Sequence, residues 1–244
     1  MTGLAFEIHN QLGRFFEESI YQGELARRCR NSGFEVAVEF EMEVRLDGFR
    51  KSYFADLLVD RAVIVETKAA LSLNNAHEGQ VLNYLFLCGL HHGTLSNFRN
   101  ESVKKRYVST TLSTSERQRA VLTDSQWRPL TGKCEKLRET IQRMIADWGA
   151  CLHPSLYREC LTHALGGEAD VARSIPIEVA GERVGTEEMR VLSPDVAFAV
   201  TAMVHRTARC REHLLRLLRH TRLRAIQWIN FNHKTVELCT IESP

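Results

Sequence analysis

The chain has 244 residues, of which 44% are hydrophobic and 25% are charged, and its formal net charge is +2. These values are ordinary for globular proteins, and they exclude a disordered chain, a collagen-like chain and a membrane bundle. At roughly 150 residues per domain, the length predicts one large domain or two small ones. The net charge is too small to indicate a class of partner.

Cysteine usage and hydropathy indicate the cellular environment. The seven cysteines are scattered and none is spaced Cys-x-x-Cys, so we expect free thiols in a reducing compartment rather than a structural zinc site. No apolar run reaches the roughly 18 residues of a membrane-spanning helix. The first residues, Met1–Gln11, lack the basic cluster that begins a signal peptide. We therefore expect a cytoplasmic protein with no membrane partner.

Hydrophobic periodicity divides the first half of the chain into elements. Apolar residues recur at helical spacing from Thr2 to Asn31, whereas Glu35–Leu46 alternates between apolar and charged residues, as a half-buried strand does. Asp47-Gly48 is the strongest short signal for a hairpin. The predicted elements are a helix over 2–31, strands over 35–46, 49–59 and 62–67, a helix over 75–88 and a strand over 93–98.

A polar stretch rich in serine and threonine, residues 111–132, predicts a linker between two domains, 1–110 and 133–244. The second domain repeats features of the first. Matching segments are 148–157 with 12–21, 192–200 with 58–66, and 229–231 with 96–98. The offset drifts by only about three residues, which favours a duplication. Chance similarity between short segments is the alternative.

Two carboxylates and an amine fall on neighbouring predicted strands. Asp56 lies on the second strand, and Glu66 and Lys68 lie two residues apart at the end of the third, on one side of it. Two converging carboxylates form a hard oxygen site that suits Mg²⁺ or Mn²⁺. The Lys68 ammonium could then orient a water or stabilise charge on a phosphate. The alternative is a structural ion pair, although the buried run before Glu66 makes such a pair costly.

A polar pair follows on the next predicted helix. Gln80 and Tyr84 are four residues apart and so share one face of that helix.

This arrangement resembles the PD-(D/E)XK nuclease superfamily and, more closely, its family named for the signature GxxExxY. The resemblance covers about residues 4–108. The matching segments are Ala5–His9, Leu12-Gly13, Glu18–Tyr21, Ala55–Val59, Val63–Ala69, His77–Leu85 and Asn97-Phe98. One position departs from the signature, because Phe15 stands where its leading glycine is expected.

The resemblance implies a restriction-endonuclease-like α/β fold with an αβββαβ core, duplicated here, in which helices flank a mixed central sheet. It also implies metal-dependent hydrolysis of phosphodiester bonds. By this resemblance, Asp56 and Glu66 are ligands of Mg²⁺ or Mn²⁺, and the Thr67 carbonyl is a candidate third ligand. Lys68 would position or activate the attacking water.

The resemblance extends to the flanking helices. Gln80 and Tyr84 match a helix motif that lies beside the metal centre in RecB-type exonucleases. Glu18 on the first helix is a further candidate catalytic carboxylate, with a solvated helix residue as the alternative reading.

The second half lacks these residues. Val200 and Ala202 align with Glu66 and Lys68, and Arg190 aligns near Asp56, which predicts a catalytically inactive copy. A predicted helix and its exit carry an arginine row that could bind a nucleic-acid backbone: Arg216, Arg219, Arg222 and Arg224. The alternatives are a solvated face and an ion-paired surface.

These observations favour a Mg²⁺-dependent nuclease with DNA as its expected substrate. A monomer with an internal pseudo-dimer, or a homodimer, would be the assembly. The runner-up is a non-catalytic module that keeps the nuclease fold and binds nucleic acid or protein. A third hypothesis is metal-assisted hydrolysis of a different phosphate ester, since a fold does not fix its substrate.

Overall fold

The computed structural model describes residues 2–243 and divides the chain into two compact units. The first unit comprises the described residues up to Arg45 together with Arg50–Ser113. The second comprises Leu46–Phe49 together with the chain from Thr114 onwards. Within the described range the strands form a five-stranded and a six-stranded sheet. None of the helices in this range is both long enough and apolar enough to cross a membrane.

The first unit is a mixed sheet flanked by helices. Its strand order is β1-β2-β3-β4-β5, with β3 and β4 parallel and the pairs β2–β3 and β4–β5 antiparallel. The elements in chain order are α1 (Thr2–Leu12), α2 (Glu18–Asn31), β1 (Val36–Leu46), β2 (Phe49–Val59), β3 (Val63–Lys68), α3 (Asn75–Cys88), β4 (His92–Asn97) and β5 (Lys104–Ser109). The expected αβββαβ order is therefore confirmed, and β5 extends it by one strand.

The first helix is interrupted, so the prediction of one helix over residues 2–31 is wrong. The break follows Leu12, where Gly13 takes a φ of +74°, which glycine adopts without strain. The buried Tyr21 closes the break, since its hydroxyl donates to the Gly13 carbonyl at 2.8 Å and accepts from the Phe16 amide at 3.2 Å. Periodicity does not show the break because α1 and α2 contribute to the same core.

The two faces of the first sheet bury separate cores. One face packs Leu57 and Val65 against Ile8 of α1 and Leu25 of α2. On the other face, the neighbouring residues Leu58 and Ile64 pack against α3 through Val81 and Leu85. Asp56 lies two residues before Leu58, and Glu66 lies two residues after Ile64. The alternation of strand side chains therefore places both carboxylates on the α3 face.

The sheet of the second unit has the same order of strands as the first, with β6 as an additional edge strand. Its sheet order is β6-β11-β10-β9-β8-β7, with β9 and β10 parallel and the pairs β8–β9 and β10–β11 antiparallel. Its elements are α4 (Thr114–Gln118), β6 (Val121–Gln126), α5 (Gly132–Trp148), α6 (Pro154–Ala164), α7 (Glu168–Val171), β7 (Ala172–Val179), β8 (Glu182–Ser193), β9 (Val196–Thr201), α8 (Thr207–Arg219), β10 (Ala225–Asn232) and β11 (Thr235–Glu242).

The segment 111–132, expected as a linker, contains ordered elements of the second unit. β6 pairs in parallel with β11, and the buried Arg117 of α4 donates to the carbonyls of Trp148 and Ala150 at 2.7 and 3.2 Å. The polar composition of this segment reflects an edge strand, which exposes one side to solvent, and does not indicate an unstructured connection.

Candidate active site

Register between two strands brings the acidic residues together. Leu57 of β2 pairs with Val65 of β3, and Asp56 and Glu66 lie one residue beyond this last pair of the ladder. The Asp56 amide donates to Glu66 Oε2 at 3.4 Å. The ladder thus ends where two carboxylates share one face of the sheet.

Glu66 is the buried centre of the site, with a relative exposure of 2%. Its Oε1 accepts hydrogen bonds from Lys68 Nζ at 2.9 Å and from Gln80 Nε2 at 3.0 Å. Burial, and after it the Asp56 charge, raises the pKa of Glu66 to about 7. The position is therefore costly for a carboxylate that, among the described residues, has Lys68 as its one cationic neighbour.

Asp56 is held by the backbone and side chain of the next strand. Its Oδ2 accepts from the Thr67 amide at 2.7 Å and from the Thr67 hydroxyl at 2.5 Å. Among the described residues, no hydrogen bond reaches its Oδ1. Burial raises the pKa of Asp56 above its ordinary value, against the opposing effect of the Thr67 hydrogen bonds. Asp56 as a whole is half-buried.

Lys68 links the strand to α2. Its Nζ lies 2.9 Å from Glu66 Oε1 and 3.2 Å from Glu18 Oε1, and 12% of its side chain is exposed. Burial by itself would lower the pKa of Lys68, but attraction to Glu66, Glu18 and Asp56 outweighs it and the pKa is raised. Lys68 therefore keeps its positive charge at neutral pH.

Glu18 is also tied to the backbone after β3. Its Oε2 accepts from the Ala69 amide at 3.0 Å, and 41% of its side chain is exposed. The structure thus places Glu18 among the site residues, against the alternative of a wholly solvated helix position.

The polar pair of α3 completes the site. Gln80 Nε2 donates to Glu66 and also to the Tyr84 hydroxyl at 2.8 Å. Burial raises the pKa of Tyr84, which therefore stays neutral at physiological pH. The helix start is fixed by a capping box, in which Asn74 accepts from the His77 amide and His77 Nδ1 accepts from the Asn74 amide. That capping gives His77 a structural role.

Gln22 is a neighbour that sequence reasoning missed. It lies one helical turn after Glu18 on α2, and its Nε2 donates to the Asp56 carbonyl at 3.2 Å and to Glu39 Oε1 at 2.5 Å. Glu39 has a φ of +51° within β1, an uncommon conformation for a residue with a side chain. The four-residue spacing from Glu18 was the available signal for Gln22; nothing in the sequence indicates the backbone of Glu39.

The donor set suits a hard cation. Within the described residues, no group of three or more His, Cys, Asp and Glu side chains is arranged to hold a metal ion. The candidate ligands are therefore the two carboxylates of Asp56 and Glu66, together with backbone oxygen such as the Thr67 carbonyl. Mg²⁺ is commonly bound in this way, through one or two carboxylates and several waters.

The arginine row belongs to the second unit, and three of its four members are ion-paired. Arg216 pairs with Glu212, Arg222 with Glu178 at 3.1 Å and Arg224 with Asp195 at 2.9 Å. Arg219 is exposed and forms no ion pair within the described chain. The pairing reduces the positive charge that these residues offer to a phosphate backbone.

Comparison with known proteins supports the fold class of the first unit. Residues 1–109 match the family model of the PD-(D/E)XK nuclease superfamily, so the first unit has a nuclease-type fold. A solved structure described as the crystal structure of SSO0001 is 18% identical over 40% of this chain and 52% of its own, with a TM-score of 0.33. This alignment spans about half of that protein's length. No curated protein matches the chain.

Proposed function

We propose that this protein is a nuclease that hydrolyses phosphodiester bonds in DNA and depends on Mg²⁺ or Mn²⁺. The observation that carries the proposal is the convergence of Asp56, Glu66 and Lys68 at the end of one strand ladder, with Lys68 Nζ 2.9 Å from Glu66 Oε1. The match of residues 1–109 to a nuclease superfamily supports the reaction class. Glu18 and Tyr21 support closer membership in its GxxExxY family.

In this proposal Asp56 and Glu66 hold the divalent ion, and the Thr67 carbonyl is the candidate third protein ligand. When bound, the ion supplies positive charge beside the scissile phosphate and lowers the pKa of a water molecule. Lys68, held by Glu66 and Glu18, is the ammonium available to orient that water or to neutralise charge developing on the phosphate. Hydrolysis forms a bond from the water oxygen to phosphorus and breaks the bond from phosphorus to the leaving oxygen; the water loses one proton and the leaving oxygen gains one.

Gln80 and Tyr84 act on the orientation of Glu66. The Gln80 amide donates to both Glu66 Oε1 and the Tyr84 hydroxyl, so its two partners fix the plane of the amide. Glu66 thereby keeps one oxygen on Lys68 and Gln80 and directs the other toward Asp56. We propose this positioning role for both α3 residues.

We also propose that the second unit is a degenerate copy of the first. In each unit a tyrosine hydroxyl donates to a glycine carbonyl eight residues earlier, Tyr21 to Gly13 at 2.8 Å and Tyr157 to Gly149 at 2.7 Å. Tyr21 stacks on Phe98, directly after β4, and Tyr157 stacks on Phe231 of β10, at 4.5 and 3.8 Å between ring centroids.

A matching asparagine contact allows the two units to be aligned residue by residue. The Asn97 side chain bonds both the amide and the carbonyl of Ala70, two residues after β3. The Asn230 side chain does the same with Met203, two residues after β9. Lys68 pairs with Asn97, and Thr201 with Asn230.

This register replaces the alignment made from sequence. Ala199 and Thr201 take the places of Glu66 and Lys68, one residue before the matched Val200 and Ala202. Met189, which precedes the Arg190–Phe198 pair, takes the place of Asp56, next to the Arg190 expected near it. Short motifs could not fix a register between the two units, and strand pairing supports this one. The second unit therefore offers no carboxylates at these positions.

The test is cleavage of DNA by the purified full chain with Mg²⁺, Mn²⁺ or EDTA. We expect cleavage with either ion and none with EDTA. Glu66→Gln and Lys68→Ala should each reduce the rate by at least about 100-fold, a typical loss when a group that stabilises transition-state charge is removed. Direct titration of Mn²⁺ should show one site that Glu66→Gln weakens.

Matched controls are Glu35→Gln, which removes an exposed carboxylate paired with Arg61, and Lys104→Ala on β5. Both should cleave at the wild-type rate. Cleavage that survives Glu66→Gln and Lys68→Ala would come from another site or a contaminant and would overturn the proposal. Nucleic-acid binding with neither cleavage nor Mn²⁺ binding would favour the non-catalytic alternative.

A further inference from the structure

The loop between α1 and α2 exposes an unusual amount of aromatic surface. Phe15 is 72% exposed and Phe16 is 50% exposed, and Ile20 at the start of α2 is 48% exposed. Contiguous apolar residues at a surface mark contact sites, whereas single exposed residues are common. This loop is therefore a candidate contact site.

Two guanidinium groups accompany Phe15. The Cζ atoms of Arg14 and Arg99 each lie 5.1 Å from the centroid of its ring. Because nearly three quarters of Phe15 remains exposed, these groups leave aromatic surface available for a further contact. We call Arg14, Phe15 and Arg99 the aromatic–arginine patch.

The patch retains positive charge for a ligand. Arg14 approaches Glu101 only at 3.9 Å, and 94% of the Glu101 side chain is exposed, so the pair is weak and screened. Arg99 forms no ion pair with a carboxylate in the part of the chain that the structure describes. A phosphate could therefore bind either guanidinium without breaking a strong internal interaction.

The patch is joined to the strand end that carries Lys68. Phe15 precedes Glu18 by three residues, and Glu18 accepts from the Ala69 amide. The Arg99 amide donates to Asn97 Oδ1, and the same side chain bonds the amide and carbonyl of Ala70. Both loops that form the patch are therefore fastened to the segment directly after Lys68.

We propose that the aromatic–arginine patch binds an unpaired nucleobase and its flanking phosphates, so that the substrate is single-stranded nucleic acid or a single-stranded end. An aromatic ring stacks on any base and is indifferent to sequence, and arginines beside it contact the backbone. Bases inside a duplex already stack on each other and offer no free face. The inference rests on the proposed nuclease function, because it assigns the strand that reaches that site.

The test is the affinity of the full chain, with Ca²⁺ and separately with EDTA, for labelled oligonucleotides of about 16 nucleotides, the upper site size of a comparable single-strand binder. The probes are oligothymidylate, an abasic strand of equal length and a blunt duplex. Phe15→Ala should weaken oligothymidylate binding about 5- to 100-fold and leave abasic binding unchanged. Phe15→Trp should retain affinity, whereas Phe15→Leu should resemble Phe15→Ala.

The controls separate stacking from general effects. Phe6→Ala removes a comparable ring, 42% exposed and approached by Lys105 Nζ at 5.9 Å, and should bind as wild type. Arg14→Ala and Arg99→Ala should each lower the slope of log affinity against log salt by about 0.7, the value for one phosphate contact with a single strand.

Three results would overturn the inference. They are unchanged oligothymidylate affinity in Phe15→Ala, equal losses on the thymidylate and abasic strands, and loss of self-association with binding intact, which would make the patch a contact between copies. Because binding is measured without turnover, absence of cleavage would contradict the proposed nuclease function and leave the stacking result standing. Conversely, cleavage with no effect of Phe15→Ala on binding would contradict only the stacking.

Discussion

At the residue scale, the candidate site holds more negative than positive charge. Glu18, Asp56 and Glu66 surround the single ammonium of Lys68, and Glu66 is nearly fully buried. Burying a carboxylate without a matching cation costs free energy, and the raised pKa of Glu66 expresses that cost. A divalent cation between Asp56 and Glu66 would restore the balance, which is why we favour a metal site over a purely structural ion pair.

Glu18 provides a test of how Lys68 is positioned. In Glu18→Gln an oxygen still accepts from the Ala69 amide, but the charge that attracts Lys68 Nζ is lost. We expect kcat to fall about 10-fold with little change in KM, as losses of supporting contacts at metal sites commonly give. Glu18→Ala, which loses both contacts, should fall further. Steady-state DNA cleavage measures both constants.

The adjacent Glu17 is the control for this substitution. Glu17 is exposed and its side chain makes no capping hydrogen bond, so Glu17→Gln should retain wild-type kcat. Wild-type kcat in Glu18→Gln would mean that the Glu18 charge has no part in positioning Lys68.

At the element scale, the approach of α3 to the sheet depends on one glycine. A Cβ at Gly93 of β4 would lie 2.5 Å from Val81 Cγ1 and 3.6 Å from Leu85 Cδ2, both on α3. Val81 and Leu85 are fully buried, so neither can move away freely. The absence of a side chain at Gly93 therefore allows α3, which carries Gln80, to pack this closely on β4.

Gly93→Ala should lower the free energy of unfolding by about 1–3 kcal/mol, the usual cost of overpacking a core. The cause is the collision with Val81, so adding Val81→Ala should recover part of the loss in a double-mutant cycle. Urea unfolding followed by circular dichroism measures both effects. Equal destabilisation by Gly93→Ala with and without Val81→Ala would contradict this account.

Gly79 offers a matched control on α3 itself. A Cβ at Gly79 would have no heavy atom within 4 Å. Gly79→Ala should therefore raise the stability by about 0.5–1 kcal/mol, through the helix preference for alanine.

At the scale of the whole molecule, the two units share an architecture but differ in chemistry. The tyrosine, phenylalanine and asparagine contacts recur in both, whereas only the first unit carries the Asp56, Glu66 and Lys68 set. The tyrosine, phenylalanine and asparagine contacts, which support folding, occur in both units. The charged residues of the site, whose burial costs stability, occur in the first unit alone. This contrast fits a copy that kept its fold after losing its catalytic residues.

Charge on the second unit gives a further prediction. If the arginine row binds a nucleic-acid backbone, Arg219→Ala should weaken DNA binding more than Arg224→Ala, because Asp195 already pairs with Arg224. We expect Arg219→Ala to lower the salt slope for duplex DNA by about 0.9. Equal and negligible effects of both substitutions would favour the alternative of a solvated, ion-paired face. Anisotropy titrations at several salt concentrations measure the slope.

Sequence patterns identified most of the first unit because its signals are local. Alternation in Glu35–Leu46 and the Asp47-Gly48 turn place β1 and β2, and the buried block before Glu66 places β3. The break at Gly13 escaped this reading because both helices pack on one core. The segment containing β6 escaped it because a polar edge strand and a linker have similar compositions.

The sequence by itself determined which residues are candidates for the site: the spacing of Glu66 and Lys68 on a strand and of Gln80 and Tyr84 on a helix follows from backbone periodicity alone. Only the tertiary structure decided which of them meet. The contacts of Glu18 and Gln22 with β2 and β3, the register of the second unit and the exposed ring of Phe15 all depend on residues distant in the chain. Such contacts are fixed by strand pairing and packing, which no local pattern encodes.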